Sequence, residues 1–216
     1  MKILSFDVGI KNLAYTIVDC DDNFKILKFG IIDLNERKKC SKCKNFAVKF
    51  SFSEGEFKFC CKGHEDESNI QPLKDKKIDE KCKFIIKKFD EIFNKDEIDC
   101  IVIENQPSFR APTLKSIQIM IFTYWCMFKD EVHFQNPVCK TFNSKLISDL
   151  DKKIKYRETK KLSIKMMEKL IDKDKLSEIN KFKKRDDISD SYLHAVSFFT
   201  RHYNDNKIPE KIKDLI

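Results

Sequence analysis

Apolar and polar positions change period several times along the 216 residues. Ile3 to Phe6 is a short apolar run, Leu13 to Val18 a second, and Ile26 to Leu34, within FKILKFGIIDL, a third. Short polar turns separate them, and together they predict three strands in an antiparallel meander. Residues 72–97 switch to helical spacing, with Pro72 at the start and Ile78, Cys82, Ile85, Ile86, Phe89 and Phe93 recurring. Cys100 to Ile103 is a fully apolar strand of the buried parallel type. Thr113 to Phe128 reads as a helix apolar nearly all round, either central in the fold or shared with a second subunit. Val132 to Phe134 predicts another strand, stopped by Asn136-Pro137. Two helices follow, at 159–171, with Leu162, Met166 or Met167, and Leu170 inward, and at 187–203, with Tyr192, Ala195, Val196 and Phe199 as its stripe. A meander followed by alternating β and α units predicts an α/β fold, a mixed five-stranded sheet flanked by helices. The length fits a single domain over 1–216, with residues 37–68 as an insertion that breaks the pattern.

Charge sharpens the picture. The net charge is +8, and residues 140–187 hold sixteen Lys/Arg against nine Asp/Glu. Such an imbalance favours a polyanionic partner, nucleic acid before membrane. There is no apolar run of membrane-spanning length, no secretory h-region, and almost nothing ahead of the first strand to serve as a presequence. The expectation is therefore a cytoplasmic protein, neither secreted nor membrane-bound. The nine cysteines then point to thiol or metal roles rather than disulfides. Cys20, Cys82, Cys100, Cys126 and Cys139 sit in apolar runs and read as core.

Four acids stand where such a fold can gather them. Asp7 ends the first strand, ahead of Gly9, which permits a tight turn. Glu104 ends the strand beginning at Cys100. Asp187 and Asp190 open the last helix at i, i+3 spacing, on one face. Each has a plainer role available: turn residue, solvated strand end, helix cap. Together, beside a basic surface, they read differently. Clustered carboxylates repel unless cations neutralise them, and a pair of Mg²⁺ ions about 4 Å apart is the usual apparatus for in-line phosphodiester cleavage.

These residues carry a resemblance. SFDVGIKNLAY, IVIENQPSFR, NPVCK and KKRDDISDSYLHA resemble the blocks of Holliday-junction resolvases of the RuvC-like, ribonuclease-H-fold class, most closely the poxvirus-type and yeast-mitochondrial branch. The likeness covers residues 1–34 and 98–203. It implies a Mg²⁺-dependent (or Mn²⁺-dependent) homodimeric endonuclease that cuts four-way DNA junctions at symmetric positions. Asp7, Glu104, Asp187 and Asp190 would hold two ions per active site and orient the attacking water. Asp187, rather than its neighbour Asp186, keeps the i, i+3 relation to Asp190. Lys11, Asn12, Arg110, Lys140, Lys160, Lys161, Lys184 and Arg185 are the expected DNA contacts, and helix 113–128 the expected dimer contact. A large cytoplasmic DNA virus is the implied source.

The insertion departs from that family. Cys40-x2-Cys43 is followed, after sixteen residues, by Cys60-Cys61-x2-His64, with an aromatic-rich hairpin turning at Ser53-Glu54-Gly55. Paired ligand turns joined by a hairpin describe a zinc ribbon, with Cys40, Cys43, Cys61 and His64 around one structural Zn²⁺. Cys61 is preferred to Cys60 because C-x2-H makes a compact knuckle, though Cys60 stays open as the alternative. The glycine at 63 is expected to give this knuckle its freedom. Two other functions fit the same residues: a nuclease for RNA–DNA hybrids, which needs no dimer, and a non-catalytic zinc-ribbon DNA-binding or scaffolding protein.

Overall fold

A computed structural model describes residues 1–53, 55–64, 70–107, 111–137, 152–204 and 207–215. Strands β1 (Lys2–Val8), β2 (Asn12–Asp19) and β3 (Lys25–Asp33) form the expected meander. Strand β7 (Cys100–Glu104) lies parallel to β1, and β8 (Val132–Gln135) parallel to β7, giving the sheet order β3-β2-β1-β7-β8. The hairpin strands of the insertion, β4 (Lys49–Ser53) and β5 (Glu56–Cys60), and the two-residue β6 (Gln71–Pro72) just beyond it make a separate small sheet, order β5-β4-β6.

Both faces of the large sheet are covered, and the side-chain alternation of each strand decides which residue meets which layer. Leu4, Phe6, Val8, Ile101 and Ile103 pack with α1 (Ile78–Ile92) and α2 (Pro112–Cys126), around an aromatic cluster of Phe89, Phe93, Tyr124 and Trp125. Ile3, Val18, Cys100 and Val102 face the other way, onto α3 (Lys152–Leu170) and α5 (Arg185–His202). Helix α5 is the most enclosed helix: every residue from Ile188 to Phe198 is buried. Sequence patterning gave it only a stripe, but it is sandwiched between the sheet and α3.

Several boundaries differ from expectation. Pro72 does not start a helix; it pairs with Lys49 at the edge of the small sheet, where a missing N–H costs no ladder bond. Helix α1 starts at Ile78, with the Glu80 carboxylate accepting the Lys77 N–H at 2.8 Å, and it leaves Ile78 and Ile86 exposed. Helix α3 begins seven residues before the expected start at 159, and both Met166 and Met167 are buried. A short helix α4 (Lys173–Ile179), capped by Asp172, was not foreseen. Helix α2 is apolar on two sides, but only the side with Ile117, Ile121 and Trp125 is buried; Ile119 is exposed, as are Met127 and Phe128 just beyond its end. Cys20 and Cys100 are core, and burial pushes the Cys100 thiol up to about 12. Cys126 is exposed, a correction to the sequence reading, and Cys139 lies outside the described residues.

Candidate active site and metal-binding cluster

Alternation also fixes where the acids point. Asp7 shares its strand face with Ile3, and Glu104 shares its face with Cys100 and Val102, so both aim at the α5 side. The register pairs Phe6 with Ile103, and one further step sets Asp7 beside Glu104 at the C-terminal ends of two parallel strands. Oxygens of Asp7 and Glu104 and a ring nitrogen of His194 lie within 4.8 Å of one another. Sequence reading passed over His194, although it stands one helical turn beyond Asp190 at i, i+4 spacing. Embedded in an apolar stripe, it looked like core. Its ring is fully buried, Nε2 lies 3.9 Å from Glu104 Oε1, and neither ring nitrogen has a hydrogen-bond partner. A buried imidazole with both nitrogens unsatisfied is a costly arrangement in an apolar core and a suitable one for a metal donor.

The surrounding polar groups hold the site in shape. Gln106 Nε2 donates to Glu104 Oε2 at 2.8 Å and to the Val8 carbonyl at 3.4 Å, bridging the two strand ends. The buried Gln118 of α2 accepts the Gln106 N–H at 3.2 Å. Lys81 of α1 donates to the Ile10 carbonyl at 2.8 Å, pinning the turn after Asp7. In that turn Gly9 is required: a Cβ there would sit 2.5 Å from the Asn12 carbonyl oxygen.

Asp190 is buried on α5, one turn before His194, and Asp187 lies a further turn back. Seven residues separate Asp187 from His194, about 10 Å along a helix axis, so Asp187 stands apart from the three-residue cluster. Its Oδ1 is 3.5 Å from Lys160 Nζ, and Lys160 also donates to Asp186. Burial and the Asp186 charge raise the Asp187 carboxyl. Burial works against ionised Asp186 too, but its hydrogen bond to Lys160 keeps it below the usual carboxylate range. Lys160 thus bridges two acids at the start of α5. Lys11, Lys161, Lys184 and Arg185 are at least two-fifths exposed and paired to Asp75, Glu158, Asp187 and Glu168 respectively. Asn12 accepts from Arg37 at 2.8 Å. Arg110 and Lys140 lie outside the described residues.

A second cluster occupies the insertion. Cys40, Cys43, Cys61 and His64 converge within the same 4.8 Å limit, and Cys60 is not among them. Cys43 Sγ is 3.7 Å from Cys61 Sγ, and His64 Nδ1 is 3.5 Å from the sulfurs of both Cys40 and Cys61. A tetrahedron with metal–sulfur bonds of about 2.3 Å and metal–nitrogen bonds of about 2.0–2.1 Å has edges of about 3.8 and 3.5 Å, so the donors fit. Burial opposes ionisation of Cys40, but amides of Cys61, Lys42 and Cys43 and the His64 ring draw its thiol down to about 6. Gly63 is not in the left-handed region and a Cβ there would meet nothing, so its expected special freedom is unused; Gly55, at φ +83°, carries the hairpin turn.

No protein-family model matches the chain. The uncharacterized protein L451 of Acanthamoeba polyphaga mimivirus is 32% identical over 132 residues, 51% of this chain, and the match spans 32% of that relative's length. Three solved structures are similar over nearly the whole chain. Fowlpox virus resolvase with Holliday junction DNA has a TM-score of 0.55 at 20% identity, covering 93% of this chain and 98% of that one. For T. thermophilus RuvC with a Holliday junction substrate the values are 0.53, 11%, 93% and 95%. For the yeast mitochondrial Holliday junction resolvase they are 0.52, 16%, 94% and 82%. The mixed sheet, its helical layers and these likenesses together identify a RuvC-like fold of the ribonuclease-H class.

Proposed function

We propose that the protein is a structure-selective, metal-dependent endonuclease that resolves four-way DNA junctions by paired symmetric cuts. The observation that carries this is the convergence of Asp7, Glu104 and His194 at adjacent parallel strand ends in a fold otherwise found in junction resolvases. Asp7, Glu104 and Asp190 supply hard oxygen donors and His194 a nitrogen, a set that fits Mg²⁺ and fits Mn²⁺ better. The divalent ions, when bound, supply Lewis-acid activation of water and charge neutralisation at the scissile phosphate. Gln106 orients the Glu104 carboxylate, and the buried face of α5 keeps the donors in a low-dielectric setting. Lys160 restrains Asp186 and Asp187, so that Asp187 meets the substrate from a fixed position. Lys11, Asn12, Lys161, Lys184 and Arg185 exchange weak surface partners for phosphates, a substitution that costs little; Arg110 and Lys140 extend the same contact.

The insertion, residues 37–68, is read as a zinc ribbon holding one structural Zn²⁺ through Cys40, Cys43, Cys61 and His64. Without metal so small a sheet has too little core to persist. The active form is read as a homodimer through the exposed side of α2, since a two-fold junction calls for two sites related by symmetry. The viral sources of two of the similar proteins support a viral protein acting in the host cytoplasm. Among the described residues no helix is long and apolar enough to cross a membrane.

The test is cleavage of labelled immobile four-way junction, Y-fork, duplex and RNA–DNA hybrid with Mg²⁺, with Mn²⁺ and with neither. Paired nicks in the junction, lost in Asp7→Asn, Glu104→Gln and Asp190→Asn while junction binding persists, are expected. His194→Ala should weaken Mn²⁺ binding in calorimetry by about 10–100-fold, the range for groups that hold or orient a metal. Cutting confined to the hybrid would replace the resolvase reading.

A further inference from the structure

The outward face of the ribbon hairpin is aromatic. Strands β4 and β5 pair Phe50 with Phe59 and Phe52 with Phe57, so all four rings project from one face. Phe57 lies 5.8, 4.9 and 6.3 Å, centroid to centroid, from Phe50, Phe52 and Phe59, making one continuous surface. Phe52 is 60% exposed and Phe57 59%, the most exposed phenylalanines among the described residues. Ser51 and Cys60 are buried on the opposite face, Phe50 and Phe59 are half-buried, and Phe52 and Phe57 form the exposed end of the aromatic surface.

The surroundings are cationic. Residues 37–68 contain eight Lys/Arg against five Asp/Glu, three of the acids lying together at 65–67, beyond the hairpin. A unit this small lies within one or two Debye lengths, about 8 Å each in physiological salt, so its exposed lysines act together on an anion at the hairpin. Protein–protein interfaces are depleted in lysine, whereas grooves for single-stranded nucleic acid combine cations with aromatic stacking surfaces.

We propose that this face is a stacking platform for unpaired nucleobases, held through their phosphates by the ribbon lysines. Neighbouring strands about 4.8 Å apart and a two-residue repeat of about 7 Å give four rings the area of one or two bases. The proposal rests on the nucleic-acid reading above, but it is read by binding alone.

The experiment uses full-length, zinc-loaded protein without Mg²⁺ or Mn²⁺. Fluorescence anisotropy would compare an oligothymidylate of roughly 20 nucleotides with an abasic strand and a duplex of the same length. The wild type should favour the oligothymidylate over the abasic strand by about tenfold. Phe52→Ala with Phe57→Ala should remove that preference, change abasic and duplex binding by less than about twofold, and leave the salt dependence intact. Equal zinc content would confirm an intact ribbon. Phe57→Trp supplies an independent readout: Trp125 is the chain's single tryptophan and is fully buried, so a new indole on this face reports locally. Oligothymidylate should quench it and the abasic strand should not. Equal wild-type affinity for base-bearing and abasic strands, or an unquenched indole, would overturn the platform while leaving the nuclease reading standing. Failure of the wild type to bind any of the strands would overturn the platform, and binding of an immobile four-way junction in the same buffer decides the nuclease reading separately. A shift from dimer to monomer in the double alanine variant would reassign the face to self-contact, and an undiminished preference would refute the stacking role.

Discussion

Replacing Asp7 by Asn should make the protein more stable and abolish its cutting. Oxygens of Asp7 and Glu104 lie within 4.8 Å. Two unit charges at that separation repel by about 3 kcal/mol at an effective dielectric of about 20. Asp7 is half-buried, so solvent screens part of this, and a net gain of about 1–2 kcal/mol is expected on neutralising it. For a chain of this size that corresponds to a Tm higher by about 3–6 °C. The assay is thermal unfolding of wild type and Asp7→Asn in buffer lacking Mg²⁺ and Mn²⁺ but free of chelator, so that the ribbon cysteines keep their metal. Adding Mn²⁺ should then reverse the order. The wild type gains RT ln(1 + [L]/Kd), about 2.7 kcal/mol at a hundredfold excess over Kd, while the variant has lost a donor and gains less. A variant no more stable than wild type without metal, or equal metal-induced shifts in both, would refute the idea that these carboxylates share a charged, ion-seeking pocket.

Three further outcomes concern the ribbon and α2. Cys43→Ser should lower bound zinc from about one per chain towards none and expose the ribbon to proteolysis, with α1 and the large sheet unaffected; elemental analysis and limited digestion read this. In the wild type, acidification should release the metal, since protons compete for the thiolates, and metal-free protein should rebind zinc more weakly once the pH falls below about 6, where the free Cys40 thiol is protonated. Ile119→Glu with Met127→Glu places charge on the exposed side of α2 and should yield monomers in light scattering that nick one strand instead of two; an unaltered dimer would move the subunit contact elsewhere.

The sheet was legible because β1, β2 and β7 are buried on both faces and read as dense apolar runs, and β3 and β8 at its edges keep enough apolar positions to be seen. The two strand-end acids were legible because each closes an apolar run, and it was their combination, not either alone, that set aside the plainer roles. What the sequence hid is of another kind. His194 sits among Tyr192, Ala195 and Val196, and only the proximity of Glu104 separates it from a core residue. Gln106 and Gln118 act through a bridge between a strand end and a distant helix, which no local period encodes. The early turns of α3 and all of α4 are charge-dense, and with little apolar periodicity their helicity depends on what they pack against. Pro72 was misread because a proline opening a helix and a proline on a sheet edge look alike until the partner strand is known.

The parallel pairing of β1 with β7 also sets a schedule. Its two acids are separated by nearly a hundred residues of chain, and α5 comes nearly another hundred later. A ribosome adding about 5–20 residues each second completes the meander and the ribbon well before β7 exists, so the nascent chain carries half a site for several seconds. Fragments ending before α5 lack His194 and Asp190 altogether. A chain that stops before α5 therefore cannot bring Asp190 and His194 to Asp7 and Glu104, and the proposed donor set waits until α5 has been made and folded.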